Sequence, residues 1–271
     1  MQSAGSDQLT SVVIPVFIRT EEQLGWLREA VASALGQSHD NIQLILADDM
    51  SPVSIRSILC ALPKNTVYFR NSQNLGQAGC RQKAVETARG GIVAFLDQDD
   101  LWEPDYLREQ LRYMEERQAD MVFCDPEFLV MDGADSPVLR QDRSKIPERS
   151  SFLSLFLQGN YAVSFSGTVI KKQAILEAGG MDARYTSMDD FDLYLKISSR
   201  GSVLHNPQTL YRYRIHTSAA NRRVRLFSDS LLLMRLYLRH FAEAGAGEKK
   251  AMLPRLVKKT LALAYYKLCN K

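Results

Sequence analysis

The stretch Ile92-Val93-Ala94-Phe95-Leu96-Asp97-Gln98-Asp99-Asp100 runs five apolar residues straight into three carboxylates within four positions. A short apolar run preceded by Gly90-Gly91 predicts a strand covered on both faces, as in a largely parallel sheet flanked by helices. Like charges gathered at its end are unfavourable unless a cation or solvent compensates them. Carboxylate oxygens at a strand end are ligands that Mg²⁺ or Mn²⁺ accepts, with a substrate phosphate filling other positions. A solvated turn capping the next helix is the plainer alternative.

Outward from this stretch, short apolar runs alternate with helix-period segments. Strands are expected at Val12 to Ile18, Ile42 to Ala47, Val67 to Arg70, Ile92 to Leu96 and Met121 to Cys124. Between them, helices are expected at Glu21 to Leu35, Ser51 to Ala61, Gln77 to Ala88 and Pro104 to Arg117. The first is marked by Leu24, Leu27, Val31 and Leu35 at spacings of three and four. Ligands of such sheets bind at the carboxyl ends of the strands. Asp48-Asp49 and the Asp97 to Asp100 cluster both fall there.

Beyond Cys124 the pattern loosens. Met131 to Arg149 reads as a surface loop, Ser151 to Leu157, Gln173 to Glu177 and Asp190 to Ser199 as helices, and Thr168 to Ile170 and Leu210 to His216 as strands. Two helices, Ser228 to Ala244 and Pro254 to Leu268, form the tail.

Charge is unevenly placed. From Arg222 onward there are 12 Lys and Arg against 3 Asp and Glu, a balance of +9, which leaves −6 on residues 1–221 of a chain whose net charge is +3. An acidic body with a basic tail argues against nucleic acid as a partner. Basic amphipathic helices can instead lie on an anionic membrane, or pack on the body or on a second subunit as a homo-oligomer. Four dispersed cysteines without a C-x-x-C pair, a polar start and no long apolar run predict a cytoplasmic protein without a membrane span.

Three further segments carry possible chemistry. Asn74 to Arg81 is a Gly-containing loop entering a helix, where amides and Arg81 could meet phosphate, although it lacks P-loop spacing. Asp189-Asp190-Phe191-Asp192 opens a helix, and a carboxylate there could cap it or act as a general base, with Asp192 read as a first-turn dipole complement. His216, at the end of an extended segment, is either structural or a ligand.

Taken together, these segments resemble the family 2 glycosyltransferases, inverting enzymes of the GT-A fold, over roughly residues 10–221. SVVIPVF at Ser11 resembles the family's opening strand, and ILADDMSP at Ile45 its V-D-D-G-S segment. NLGQAGCRQKAVETARGGIVAFLDQDDLWEP at Asn74 resembles its N-x-G to L-D-x-D-D stretch. GTVIKKQAILEAGGMDARYTSMDDFDLYLKISSRG at Gly167 looks like its G-G-F-D turn and E-D-x-D-L helix start, and YRYRIHTSAAN at Tyr211 its Y-R-x-H-x-x-S segment.

The resemblance implies an α/β GT-A catalytic domain over 1–221, with a nucleotide-sugar half at about 10–125 and an acceptor half at about 126–221, followed by the helical tail at 222–271. It implies Asp49, with Asp48 beside it, at the nucleotide base, Arg81 near the base or phosphates, and Asp97 at the ribose. Asp99 would bind Mn²⁺ or Mg²⁺, and His216 would complete the metal or diphosphate site. Asp190 would be the catalytic base, Pro15 and Gln98 would contact the nucleotide sugar, and Asp189 and Asp100 would be accessory. The implied reaction moves a sugar from a nucleotide-diphosphate sugar, UDP-sugar first, to a hydroxyl of a glycan or lipid-linked acceptor in bacterial surface polysaccharide synthesis. The acceptor side would be lined by Gly159-Asn160-Tyr161 and the Met131 to Arg149 loop.

The sequence departs from the family pattern at Ile18, where Asn is frequent, at Met50 for Gly, at Asp189 for Glu, and at Cys80 and Gln82 beside Arg81. Two other readings compete. One is a non-catalytic nucleotide-binding scaffold. The other is a haloacid-dehalogenase-like phosphohydrolase with Asp97 as nucleophile, Asp99 as acid, Lys171 as neutralising cation and Asp189-Asp190 as metal pair.

Overall fold

A computed structural model describes residues 8–131, 142–185, 188–216 and 222–269, without the side chains of 222–230 and 262–269. Strands β1 (Thr10–Val16), β2 (Ile42–Asp48), β3 (Val67–Arg70) and β4 (Ile92–Phe95) pair in parallel in the order β3-β2-β1-β4. Val16 lies opposite Asp48 and Asp48 opposite Arg70, so these strands end together at one edge.

The sheet continues as β8 (Thr168–Lys171), β6 (Met121–Val130), β9 (Val203–Ile215) and β5 (Leu101–Trp102), with β7 (Arg149–Ser150) also on β9. Here β8 is antiparallel to both β4 and β6, whereas β6 and β9 run parallel. The parallel sheet expected from the apolar runs is thus the first half of the chain, and the second half extends it as a mixed sheet. Both long strands overrun their expected limits, β6 running on through Pro126 and β9 starting before Pro207. The register shifts between Cys124 and Pro126, and pairing resumes beyond it. A bulge leaves room for residues that lack an N–H to donate.

Alternation along the strands divides the core. Val13, Ile45, Val93 and Phe95 face one side, packed by α3 (Gly76–Thr87), α5 (Phe152–Gln158) and α7 (Asp189–Ser198). Val12, Ile14, Leu44 and Leu46 face the other, packed by α1 (Glu21–Leu35) and α4 (Tyr106–Glu116). Thr20 caps α1 by accepting from Gln23 N at 3.3 Å, and Leu24, Leu27 and Val31 are buried while Leu35 faces outward. Only one turn of the helix expected at Ser51 to Ala61 forms, α2 (Arg56–Leu59). Strand β4 approaches β1 so closely that a Cβ on Gly90 would sit 2.5 Å from Leu9 O.

The tail forms α8 (Arg222–Glu243) and α9 (Ala246–Cys269), with α6 (Lys172–Glu177) earlier in the chain. Leu236 and Tyr237 are buried, the Tyr237 ring lying 4.6 Å from that of Phe156 in α5. Asp192, read as a dipole complement, is instead fully buried under this helix. It bonds His240 at 2.9 Å, pairs with Lys196, and lies 3.7 Å from Arg239, which itself reaches Asp182 at 2.6 Å. Burial raises the Asp192 carboxyl, but the His240 and Lys196 hydrogen bonds prevail and hold it below the usual range. Pro254, read as a helix start, is exposed within α9, which begins eight residues earlier.

Candidate active site

At the carboxyl edge of β1 to β4 lies a cleft of about 710 Å³, closed from the far side by β9 and the start of α7. It is lined by nine of the eleven residues given a nucleotide-sugar, metal, base or accessory role by the resemblance: Pro15, Asp49, Arg81, Asp97, Gln98, Asp99, Asp189, Asp190 and His216. The two that do not line it, Asp48 and Asp100, are held by structural partners. Asp48 accepts from Ser51 N at 2.7 Å, Tyr68 OH at 3.1 Å and Arg70 Nη1 at 2.7 Å, which fixes the turn after β2. Asp100 accepts from Ser166 Oγ at 2.5 Å and Arg214 N at 2.9 Å, tying the Asp97 to Asp100 loop to β9.

Met50 takes φ 66, a left-handed conformation that favours glycine. The usual Gly of the resembled motif has its physical reason there. Asp49 faces inward and is gripped by Asn71 Nδ2 and Leu75 N, both at 2.8 Å. Gln98 lines the cleft but clamps the Phe17 backbone, accepting from its N–H at 2.6 Å and donating to its carbonyl at 3.2 Å.

Arg81 is 3% exposed and bridges the two halves of the cleft, donating to Asp97 Oδ1 at 2.5 Å and Asp189 Oδ2 at 2.8 Å. Burial alone would favour its neutral form, yet the two carboxylates more than offset this and hold it charged. Its guanidinium also lies 4.6 Å from the Phe165 ring centre. Burial pushes the Asp97 carboxyl up against the opposing pull of Arg81, and Asp99 adds to the rise.

Asp99 and His216, brought from opposite halves of the chain, meet at 3.1 Å between Oδ2 and Nε2. Trp26 packs against the imidazole with ring centres 4.9 Å apart. Adjacent corners of an octahedral shell with ~2.1 Å bonds lie about 3.0 Å apart, so the pair fits two neighbouring ligands of one cation. Among the described residues no group of three or more His, Cys, Asp or Glu side chains could hold a metal. The remaining ligands of a cation here would therefore come from water or from a substrate.

Asp190 sits across the cleft at the start of α7. Burial first, then the adjacent Asp189 charge, push its carboxyl up to about 7. A carboxyl in that range can take and release a proton near neutrality. Tyr213, read only as part of an alternating strand, also lines the cleft, its phenol raised by burial and by the surrounding carboxylates. Alternation gave its periodicity but not which face meets the ligand.

Lys171 is placed away from this centre. It pairs with Asp120 at 3.0 Å and does not line the cleft, so Lys171 cannot be the neutralising cation that the phosphohydrolase reading assigned to it.

Residues 11–173 match the sequence model of Glycosyl transferase family 2. The chain belongs to this family. Among curated relatives, TuaG of Bacillus subtilis, named for teichuronic acid biosynthesis, is 36% identical over 130 residues, 46% of this chain and 49% of that protein. WfaP of Escherichia coli, named as a UDP-Glc:α-D-GlcNAc-diphosphoundecaprenol β-1,3-glucosyltransferase, is 27% identical over 75% of this chain and 78% of its own. The family 2 chain spans half or less of the length of several curated relatives it matches.

Among solved structures, S. aureus TarS 1–349 in complex with UDP-GlcNAc superposes with a TM-score of 0.71 at 15% identity, over 93% of this chain and 72% of that one. The Pyrobaculum calidifontis mannosyltransferase PcManGT, in complex with GDP-Man and Mn²⁺, gives 0.66 at 17% identity over 95% and 71%. The family 2 chain therefore has the GT-A fold expected from its motifs.

Proposed function

We propose that this chain is an inverting glycosyltransferase that moves a sugar from a nucleotide-diphosphate sugar, UDP-sugar first, to a hydroxyl of a glycan or lipid-linked acceptor. The observation that carries the reading is one cleft in which the acidic set of Asp49, Asp97 and Asp99 faces Asp190 across the Arg81 bridge. Asp190 takes the proton of the acceptor hydroxyl as its oxygen attacks the anomeric carbon. In the same displacement that carbon's bond to the nucleoside diphosphate breaks, and the configuration inverts. Asp99 and His216 would hold Mn²⁺ or Mg²⁺, whose chemistry is to neutralise charge on the diphosphate. The names of TuaG and WfaP, one for teichuronic acid biosynthesis and the other for glucosyl transfer to a diphosphoundecaprenol-linked acceptor, support a role in bacterial surface polysaccharide assembly.

Thermal unfolding with UDP, GDP and dTDP, each with and without Mn²⁺, tests this directly. A nucleotide at 100 times its Kd should add about 2.7 kcal/mol of stability. The expected result is a Mn²⁺-dependent shift with UDP that Asp99→Asn removes. No shift with any nucleotide, in a folded protein, would overturn the nucleotide-sugar reading, whereas a shift without sugar transfer would favour the non-catalytic nucleotide-binding scaffold.

The tail supports a second element of this reading. Leu253, Val257 and Leu261 recur every four residues on α9 and are half or more exposed, beside exposed Lys250 and Lys258. The tail residues Leu263, Tyr265 and Tyr266 lie outside the described side chains, as does 132–141 of the acceptor-side loop. No helix among the described residues is long and apolar enough to cross a membrane. We therefore propose that α9 rests on an anionic surface, each nearby Lys or Arg adding on the order of 1 kcal/mol of attraction. Co-sedimentation with phosphatidylglycerol vesicles, lost on Val257→Glu plus Leu261→Glu, is expected. Equal pelleting of the parent with neutral and anionic vesicles would overturn it.

A further inference from the structure

We infer that Asn160 is the positioning residue of the base, aiming the Asp190 carboxylate through a side-chain amide whose own orientation the loop dictates. The inference rests on Asp190 acting as the base. Asn160 Nδ2 donates to Asp190 Oδ2 at 2.8 Å, while Asn160 Oδ1 accepts from Ala162 N at 3.1 Å. A backbone N–H can only donate, so the amide oxygen must face Ala162 and the NH₂ must face the carboxylate. Phe191 N donates to Asp190 Oδ1 at 2.7 Å, so both carboxylate oxygens are held while the residue lines the cleft.

The segment that carries Asn160 is itself fixed. Gly159 adopts φ 112 at the end of α5, where its N–H donates to Leu155 O at 2.8 Å, and Val163 adopts φ 66. Arg143 Nη1 donates to Tyr161 O at 3.0 Å, and the same Arg143 Nε reaches Asp125 at 2.5 Å. A short loop with left-handed residues at both ends and a tethered carbonyl between them leaves the amide little freedom. Backbone strain of this kind persists only where the surroundings over-determine it.

The chemistry follows from the donor. An N–H given to a carboxylate stabilises the charged form, which must be present to accept the hydroxyl proton. The other ionisable groups facing Asp190 are Asp189 and Tyr194 on α7, Arg81 on α3 and Tyr213 on β9. Of these only Arg81 favours the charged form, and it is already shared by Asp97 and Asp189. Asn160 is therefore the neutral donor that aims the base without adding charge to the cleft.

Two substitutions separate this role from a merely structural one. Asn160→Ala removes both the turn and the donor. Asn160→Asp keeps an oxygen for Ala162 N but replaces the donor with a second carboxyl. The acidic limb of the kcat profile should move alkaline by about one pH unit in Asn160→Ala and further in Asn160→Asp, with kcat at pH 7 falling about tenfold or more and donor KM unchanged. Independently of turnover, the Asp190 proton affinity can be read from unfolding against pH of each variant paired with its Asp190→Asn counterpart, and it should rise in the same order. If Asn160→Asp matches the parent in both readouts, Asn160 serves only the turn and the inference fails. If the parent transfers no sugar while the proton affinity shifts as expected, the placement of Asn160 stands and the transferase reading falls.

Discussion

Replacing Asp190 by asparagine should lower the transfer rate by about 10²–10⁴-fold while making the protein more stable above pH 7. The two effects share one cause. Burial and the Asp189 charge lift the folded-state carboxyl to about 7, well above its value in the unfolded chain. Between those two values the folded protein binds the extra proton, so stability falls as pH rises through the window and stays lower beyond it. Asparagine carries no charge to desolvate and keeps the Asn160 contact within reach. With allowance for the part of Asp190 open to solvent, the gain at pH 8 should be about 1–3 kcal/mol, shrinking to near zero by pH 4. Urea unfolding of parent and variant at pH 5 and pH 8 measures it. A variant that keeps its rate and shows the same stability difference at both values would remove Asp190 from the role of base. In the parent, the rate should rise with pH through about 7 as the carboxyl ionises.

Arg81→Met should unfold the protein at markedly lower temperature. Breaking a buried pair by removing one partner typically costs about 3–5 kcal/mol, because the remaining charge is left without compensation. Here two carboxylates, Asp97 and Asp189, lose their shared guanidinium beside Asp99 and Asp190. A drop in Tm on the order of 10 °C follows for a domain of this size. The deficit should shrink toward pH 5, where protonation relieves the crowded charge. Arg81→Lys should fall between, since an ammonium can meet one carboxylate but lacks the fork that spans two. Calorimetry of the three proteins at pH 5 and pH 8 decides the matter. A melting point for Arg81→Met within 1–2 °C of the parent, about the effect of a surface change, would show that the bridge is not what holds the two halves of the cleft together.

How far the sequence discloses this arrangement depends on the range of each interaction. Strand β4 and its acidic end were legible because apolar burial on both faces and a charge cluster at one end are local signals. The convergence of Asp49 and Asp99 followed from the rule that such strands end at one edge, whereas Asp190, at the start of a helix, was assigned only through the family resemblance. Nothing local separates Asp48 from Asp49, however, or Asp100 from Asp99. Asp48 is claimed by Arg70, 22 positions away, and Asp100 by Arg214, 114 positions away. The same holds for Asp192, whose partner His240 lies 48 positions on, and for Asn160, 30 positions before Asp190. Strand β9 was half hidden for a different reason. His205-Asn206-Pro207-Gln208 carries turn composition, and only pairing with a bulged β6 reveals that the strand passes through it.

Helix α7 gives the tail a meaning that charge counting missed. Asp190 and Asp192 stand two residues apart, one turned to the cleft and the other to His240 and Arg239 of α8. The first turn of one helix thus serves as a hinge pin shared by chemistry and attachment. A chimera that exchanges everything after residue 221 inherits an obligation: it leaves the buried Asp192 with Lys196 alone, so its new tail must replace the His240 and Arg239 contacts. Without that, a buried anion loses part of its compensation two residues from the carboxylate of Asp190. The practical boundary for dividing this protein is therefore set by ion pairing across α7 and α8, and it does not coincide with the break in charge along the chain.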